Sequence, residues 1–258
     1  MTASTGYNFS AEKSNFDNFY YNKLVGAFYT QNKDRFEYSV GKGVNFNLGI
    51  GYTTKQDIGF ELEGSYLMGM KTIGKTDYFV SDVFKKEIWG CFYRINPSIY
   101  LLRPLKKLSL KLSIGGLMGF GKMYLNQSVT YNEGMPGFQY ENEFSGGYYL
   151  GFEAGISVLY PINNQLNLFV DVNWINAYFS PMRGRVTKFV SGEHDYTDIL
   201  DVWDREFTYS NSVDKMFNTP EEPANMLREN FAASSIGLQV GIQWSLWHKE
   251  KNKEEKVD

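Results

Sequence analysis

The sequence predicts an all-β fold: an eight-stranded antiparallel up-and-down transmembrane β-barrel, with ten strands as the open alternative. Two observations predict it. Apolar residues alternate with small or polar ones through segment after segment, and those segments are joined in turn by tight turns and long polar connections. A third observation is consistent with both: although 17% of the residues are aromatic, no apolar stretch approaches the ~20 residues that a membrane helix needs. The mean hydropathy is only -0.38, as expected of a chain that alternates its hydrophobicity.

The pattern starts at residues 44–52, V-N-F-N-L-G-I-G-Y, where one face carries apolar side chains and the other Asn and Gly. After a turn at 53–57 it resumes with Ile58, Phe60, Leu62, Tyr66, Met68 and Met70 on one side and Glu61, Glu63 and Ser65 on the other. Such a hairpin is long enough to cross a membrane. Residues 89–101 continue the alternation, with Pro97 as a local interruption that a bulge or strand end tolerates. Residues 108–121 follow, with Leu117 as the exception to the period, and then 148–158 and 166–174. The last strand is I-G-L-Q-V-G-I-Q-W-S-L-W, from Ile236.

Seven strands are legible in this way. Their short connections are 53–57, 103–107 with Pro104, and 161–165 with the Asn163-Asn164 pair; long polar stretches lie between. Bacterial single-chain barrels have an even strand number, so an eighth is expected from the N-terminal part, at residues 23–30. Both chain ends then fall on the short-turn side. Residues 35–40 or 206–210 would have to pair inside the membrane to make ten. The organisation expected is a polar lead over 1–22, the barrel over 23–247 and a charged periplasmic tail over 248–258.

Alternation alone leaves the direction of the faces open, and a soluble lipocalin-like barrel has the same period with its apolar face inside. The polar face argues for the other sense, because it is mostly Gly, Ser, Asn and Gln, whereas a water-exposed sheet carries many interspersed charges. The charges it does carry are of opposite sign on different strands: Glu61, Glu63, Glu153 and Asp171 against Arg94 and Lys111. That is the pairing a low-dielectric interior demands. A blocked, salt-bridged polar lumen is the expectation, and a small pore the alternative. Tyr52, Tyr66, Tyr100, Tyr124, Tyr148, Tyr160, Trp174, Tyr178 and Trp244 stand near strand ends, where interfacial aromatic girdles form.

One hairpin outgrows the membrane, running from Leu108 through Gly134, Pro136 and Gly137 to Tyr160. Its tip, residues 127–131 and 139–144, is expected as an exposed ribbon whose free edges could add a strand from a protein partner. The longest connection, 179–231, carries Glu193, Asp195, Asp198, Asp201 and Asp204, read as a solvated acidic loop because the spacing matches no calcium-binding loop. Pro220 and Pro223 precede an expected short helix at 224–231.

Net charge is -3 with no basic stripe, which argues against nucleic acid as a partner. Cys91 is alone, so no disulfide forms within the chain. No cofactor motif and no metal-ligand spacing occur. Of the two histidines, only His194 has Ser191, Glu193 and Asp195 nearby in sequence; a membrane enzyme acting on lipid would have to use it, and the expectation is that the protein is not an enzyme. The opening M-T-A-S-T-G-Y-N-F-S shows no basic-then-apolar leader, so a mature form with an added Met is expected.

With its turn and loop rhythm and a final strand rich in alternating apolar and aromatic residues, the chain resembles the small OmpA/OmpX-like outer-membrane β-barrels, in particular the barrel-only members common in Bacteroidota. The resemblance covers roughly residues 23–247. It implies location in the bacterial outer membrane, contact with the bilayer and lipopolysaccharide, and a structural or surface-interaction role through the outer loops, alone or in a larger outer-membrane assembly.

Overall fold

The computed structural model describes residues 1–11, 14–15, 37–78, 82–131, 136–212 and 219–245. Strands dominate, and eight of them close a barrel by antiparallel pairing of neighbours. In chain order, counting strands of four or more residues, the elements are β1 (Thr2–Ser10), β2 (Gly43–Thr53), β3 (Ile58–Gly69), β4 (Thr72–Tyr78), β5 (Asp82–Pro104), β6 (Ser109–Thr130), β7 (Phe138–Ser145), β8 (Tyr148–Pro161), β9 (Leu166–Ser180), β10 (Arg183–Ser191), a single helical turn α1 (Val202–Arg205), β11 (Glu206–Ser210), β12 (Ala224–Leu227) and β13 (Ser235–Trp244). The ring runs β1-β2-β3-β5-β6-β8-β9-β13 and returns to β1.

The faces follow the sequence period. Leu48 is 71% exposed, Ile114 62% and Val240 52%, all on the outer surface, while Asn45 at 1% and Arg94 at 3% point inside. This is the opposite of a soluble ligand-binding barrel, whose apolar face lines the interior. On β6 the outward apolar residues run from Leu110 to Phe120. With a rise of about 3.3 Å per residue and a tilt near 40°, they make a band about 25 Å tall.

The eighth strand is Thr2–Ser10, which pairs with β13 on one side and β2 on the other. This corrects the reading of residues 1–22 as a polar lead. The period is present in T-A-S-T-G-Y-N-F-S, but the outward positions begin with Ala3 and Thr5, so hydropathy barely registers it. Residues 23–30 and 248–258 lie outside the described residues. The amino group of Met1 donates to the carbonyl of Trp244 at 2.7 Å, so both ends of the ring stand on the short-turn side.

On the long-connection side the sheet continues as a wall. β4 pairs with the upper part of β5, β5 with the upper part of β6, β6 with β7, β7 with β10, β10 with β11, and β11 with β12 in parallel. Among its described residues the expected ribbon is therefore paired on both sides. Gln127 and Ser128 pair with Lys86 and Lys85 on one side, and residues 139–145 pair with β10 on the other. The chain covers both edges of this ribbon, the usual protection against stray pairing, and the sheet ends at β4 and β12. Glu206–Ser210 is a strand, but of this wall rather than of the barrel, and Glu37–Tyr38 pairs with Ser14–Asn15 in a separate two-stranded sheet. The count is eight.

The expected helix at 224–231 is also corrected. Ala224–Leu227 is a strand, because the edge of β11 offers it a full set of backbone partners, whereas Pro223 supplies only a favourable helix start. The one α-helical turn among the described residues is α1, where the amides of Asp204 and Arg205 both donate to the carbonyl of Asp201.

Candidate functional site

The interior is the candidate site, and it has two layers. In the layer toward the short turns, polar side chains from alternate strands meet. Arg94 sits in a cross-strand row with Ser65 and Asn47, since Ser65 is registered against both. Its Nε donates to Ser65 Oγ at 3.1 Å and its Nη2 donates to Asn45 Oδ1. From there Asn45 Nδ2 donates to Asn47 Oδ1 at 2.6 Å, and Asn47 Nδ2 donates to Gln239 Oε1 at 2.6 Å and Ser4 Oγ at 2.8 Å. The network joins side chains of five strands and ties the seam of the ring to β5.

All six charged residues expected in the lumen face it, but they pair differently from a simple set of salt bridges. Lys111 is the one that reaches a carboxylate directly, Glu61 Oε2, and Thr2 Oγ1 donates to the other oxygen of Glu61 at 3.0 Å. Glu153 accepts from Asn96 Nδ2 at 3.0 Å and from Asn173 Nδ2, and Asp171 Oδ1 accepts from Ser157 Oγ at 2.6 Å. Neutral amides and hydroxyls thus carry much of what cations were expected to carry. Together with Glu63, these carboxylates line a residual cavity in which water centres have about 40 Å³. That accommodates a few waters and no organic solute. A vestibule between Tyr52, Tyr100, Glu61, Lys111 and Trp244 opens from this layer to the short-turn end.

The layer above is apolar. Leu67, Ile88, Phe92, Met123, Tyr149, Ile175 and Phe179 project inward from the barrel, and Phe144, Val186, Phe207, Tyr209 and Phe231 descend from the wall and the long connection to join them. Phe92 packs at 5.0 Å against both Tyr149 and Phe179, and Phe144 at 5.9 Å against Phe231. The Arg94 guanidinium lies 5.8 Å from the Tyr149 ring and marks the boundary between layers. Burying large aromatic side chains is worth roughly 2–3 kcal/mol each, so the plug is a core in its own right. The sequence reading missed it. Its signal is Leu117, the residue that broke the period of β6 and that is 2% exposed inside the barrel.

No protein-family model matches this chain, and no curated protein is a significant match.

Of the nine aromatics expected in girdles, eight face outward. Tyr52, Tyr160 and Trp244 stand at the short-turn end, and Tyr66, Tyr124, Tyr148, Trp174 and Tyr178 at the other. Tyr66, Tyr93 and Phe120 form a cross-strand ladder with spacings of 4.8 and 5.7 Å, and Trp89 stacks on Tyr124 at 5.3 Å. Tyr100 is the exception. Only 5% exposed, it points into the lumen, where its hydroxyl bonds Thr53 Oγ1 at 2.7 Å and the Lys111 ammonium lies 4.7 Å from its ring. Its position in the period, one residue after the outward Ile99, required this.

Outside the barrel, His194 and Ser191 are register partners in a two-residue bridge. The His194 ring meets Tyr196 edge-on at 6.2 Å, while the Asp195 carboxylate is occupied by Thr197, accepting from its amide and hydroxyl. Those bonds hold Asp195 below the usual carboxylate range. Among the described residues no side-chain hydrogen bond joins His194 to Ser191, Glu193 or Asp195, and no group of three metal-ligating side chains converges. On the outer face of the wall, Glu87 receives Lys71 at 2.7 Å and Lys85 at 2.5 Å, and the hydrogen bonds from these two ammonium groups lower its pKa.

Proposed function

We propose that the protein is an outer-membrane β-barrel of the OmpA/OmpX-like kind with a closed lumen, acting as a structural and surface-interaction element through the β wall on its long-connection side. One observation carries the reading: a sealed ring presents its bulky apolar side chains outward and holds a hydrogen-bonded polar interior. An exposed apolar surface of that extent has no stable state in water, and a closed barrel satisfies every ladder bond within a bilayer. The aromatic ladder of Tyr66, Tyr93 and Phe120 suits the headgroup level. With a two-layer interior, transport is not the proposed role; the wall is what this architecture offers to the outside.

Refolding into detergent followed by gel electrophoresis with and without boiling tests it. A compact, faster-migrating species that converts only on heating is the expected result. A monodisperse monomer in plain buffer, with no heat-dependent shift, would overturn it.

A further inference from the structure

The polar layer of the lumen is not electrically balanced. Glu61, Glu63, Glu153 and Asp171 all line its residual cavity, and Lys111 is the one cation that lines it with them among the described residues. Arg94 spends its Nε and Nη2 on Ser65 and Asn45, outside that lining. Even with both cations counted, the four carboxylates leave two negative charges uncompensated. Inside a closed ring surrounded by lipid, such charge needs a counter-charge close by.

Register shows where the surplus collects. Glu61, Ser98, Gly115 and Glu153 form one cross-strand row, and Glu63 stands opposite Asn96 in the next. Lys111 is taken by Glu61, Glu153 by the amides of Asn96 and Asn173, and Asp171 by Ser157. Glu63 has neither a hydrogen bond nor an ion pair among the described residues. A neutral group beside it is also unsatisfied. Asn96, only 8% exposed, lines the cavity and donates through Nδ2 to Glu153, but its Oδ1 has no hydrogen-bond partner. That oxygen stands over the bare Cα of Gly115, 2.2 Å from where a Cβ would be. Gly155 leaves similar room beside Ser113 Oγ and Asp171 Oδ1. The unpaired acceptors around this small space are all oxygen.

We infer that this cavity binds one hard divalent cation of the calcium type, with Glu63 as its principal ligand and Asn96 Oδ1 as a neutral one. An all-oxygen donor set selects a hard cation, and the two uncompensated charges select a divalent one. No group of three His, Cys, Asp or Glu side chains converges among the described residues, so water completes the shell, and water centres have about 40 Å³ there. Calcium tolerates such a mixed and irregular set, whereas magnesium demands a near-ideal octahedron. The route in is the vestibule, which shares Thr2, Glu61, Lys111 and Gln243 with the cavity and opens at the short-turn end. The inference rests on the membrane-barrel reading above, because lipid around the ring is what makes the uncompensated charge costly.

The test uses the full chain refolded in a zwitterionic detergent and freed of metal with a chelator that is then dialysed away. Calcium chloride is titrated in at neutral pH with calorimetric detection, and heat conversion on gels is compared in calcium chloride and in sodium chloride of equal ionic strength. Wild type is expected to bind one calcium ion per chain and to convert at a higher temperature in calcium than in sodium. E63Q is expected to weaken binding at least about tenfold, the scale of one lost charged ligand. In sodium, E63Q is expected to convert at a higher temperature than wild type, because an uncompensated charge is gone; in calcium the order reverses, which a purely structural Glu63 would not produce. N96A removes the neutral oxygen, leaves every charge in place and is expected to bind several-fold more weakly; it carries the test if E63Q does not migrate as a folded barrel. D198N/D201N, in the acidic loop, is expected to bind as wild type does. No calcium bound by wild type would overturn the site and leave protons as the neutralising charge. Unchanged binding by E63Q or N96A, or lost binding in D198N/D201N, would each overturn it as well. Absence of heat-dependent migration of wild type in either salt would instead overturn the membrane barrel itself, so the two failures are distinguishable.

Discussion

Tyr100 lies over the bare Cα of Gly59, its register partner on β3, so that a Cβ added at Gly59 would stand 2.1 Å from the ring carbon Cζ. An aromatic ring covering a cross-strand glycine fills the space that the missing side chain leaves. Here it also aims the hydroxyl at Thr53 and puts the ring beneath the Lys111 ammonium. Gly59→Ala is expected to expel the ring and destabilise the barrel by about 1–3 kcal/mol, the usual penalty for overpacking. Urea unfolding in detergent micelles, followed by tryptophan fluorescence, checks this.

Lys111 and Glu61 carry the one direct ion pair of the polar layer among the described residues. Lys111→Met leaves Glu61 with Thr2 alone, and the expected loss is about 3 kcal/mol, the low end for a buried pair because the vestibule admits water. Lys111→Met combined with Glu61→Gln is expected to recover more than about 1 kcal/mol of that loss. A double-mutant cycle on the unfolding free energies gives the answer.

Val240 faces outward in the middle of the last strand. Val240→Arg is expected to destabilise the lipid-embedded barrel by about 2–4 kcal/mol, the scale for a cation near the bilayer midplane. If the face met water, the same change would be neutral. Folding titrations into phosphatidylcholine vesicles distinguish these outcomes.

Two layers block the lumen, one polar and one apolar. Planar-bilayer recordings are expected to show no steady conductance for wild type, and none for Phe231→Ala, because removal of that ring loosens the plug while the Arg94 network below stays closed. Steady ion-selective steps in wild type would show a pore.

The Glu87 carboxyl is lowered in the folded protein by Lys71 and Lys85. A depressed folded pKa contributes stability that is present above the unfolded value near 4.5 and is lost as pH falls through the lower folded value. The wild type and Glu87→Gln are therefore expected to differ most at neutral pH and to converge as pH falls below 4.5 and through the lower folded value. Because Lys71 and Lys85 are partly exposed, the difference at neutral pH is expected to be about 1 kcal/mol or less. Heat-conversion midpoints measured from pH 3 to 7 check it.

The barrel was legible because its information is periodic. An outward Leu48 followed by an inward Gly49 and an outward Ile50 is the same statement whether read from sequence or structure. The lumen charges and most of the girdle followed from that period alone. Three things escaped it. β1 escaped because Ala3 and Thr5 are too small to register as an apolar face. The plug escaped because at Phe92, Leu117 and Tyr149 both faces of the strand are apolar, and alternation then carries no sign. The wall escaped because its partners are distant in sequence: Arg183 meets Ser145, and Ala224 lies beside Phe207 with its strand running the same way. Pairing of that kind leaves no local trace in composition.

The bond from Met1 to Trp244 joins residues 243 positions apart, and this fixes an order of events. Each tight hairpin can zip as soon as its two strands exist, but the ring closes only when the first strand finds the last. In equilibrium terms the distance is nearly immaterial, since loop-closure entropy grows with the logarithm of length and adds only about 3 kcal/mol over a ten-residue turn. In time it is decisive, because non-local contacts form slowly. Until β1 and β13 meet, the growing sheet carries two open borders, each able to capture the wrong strand. A cell that makes this protein has to guard both borders for the full duration of assembly, and damage at the seam would appear first as a slow or misdirected birth of the barrel and only later as a weaker finished one.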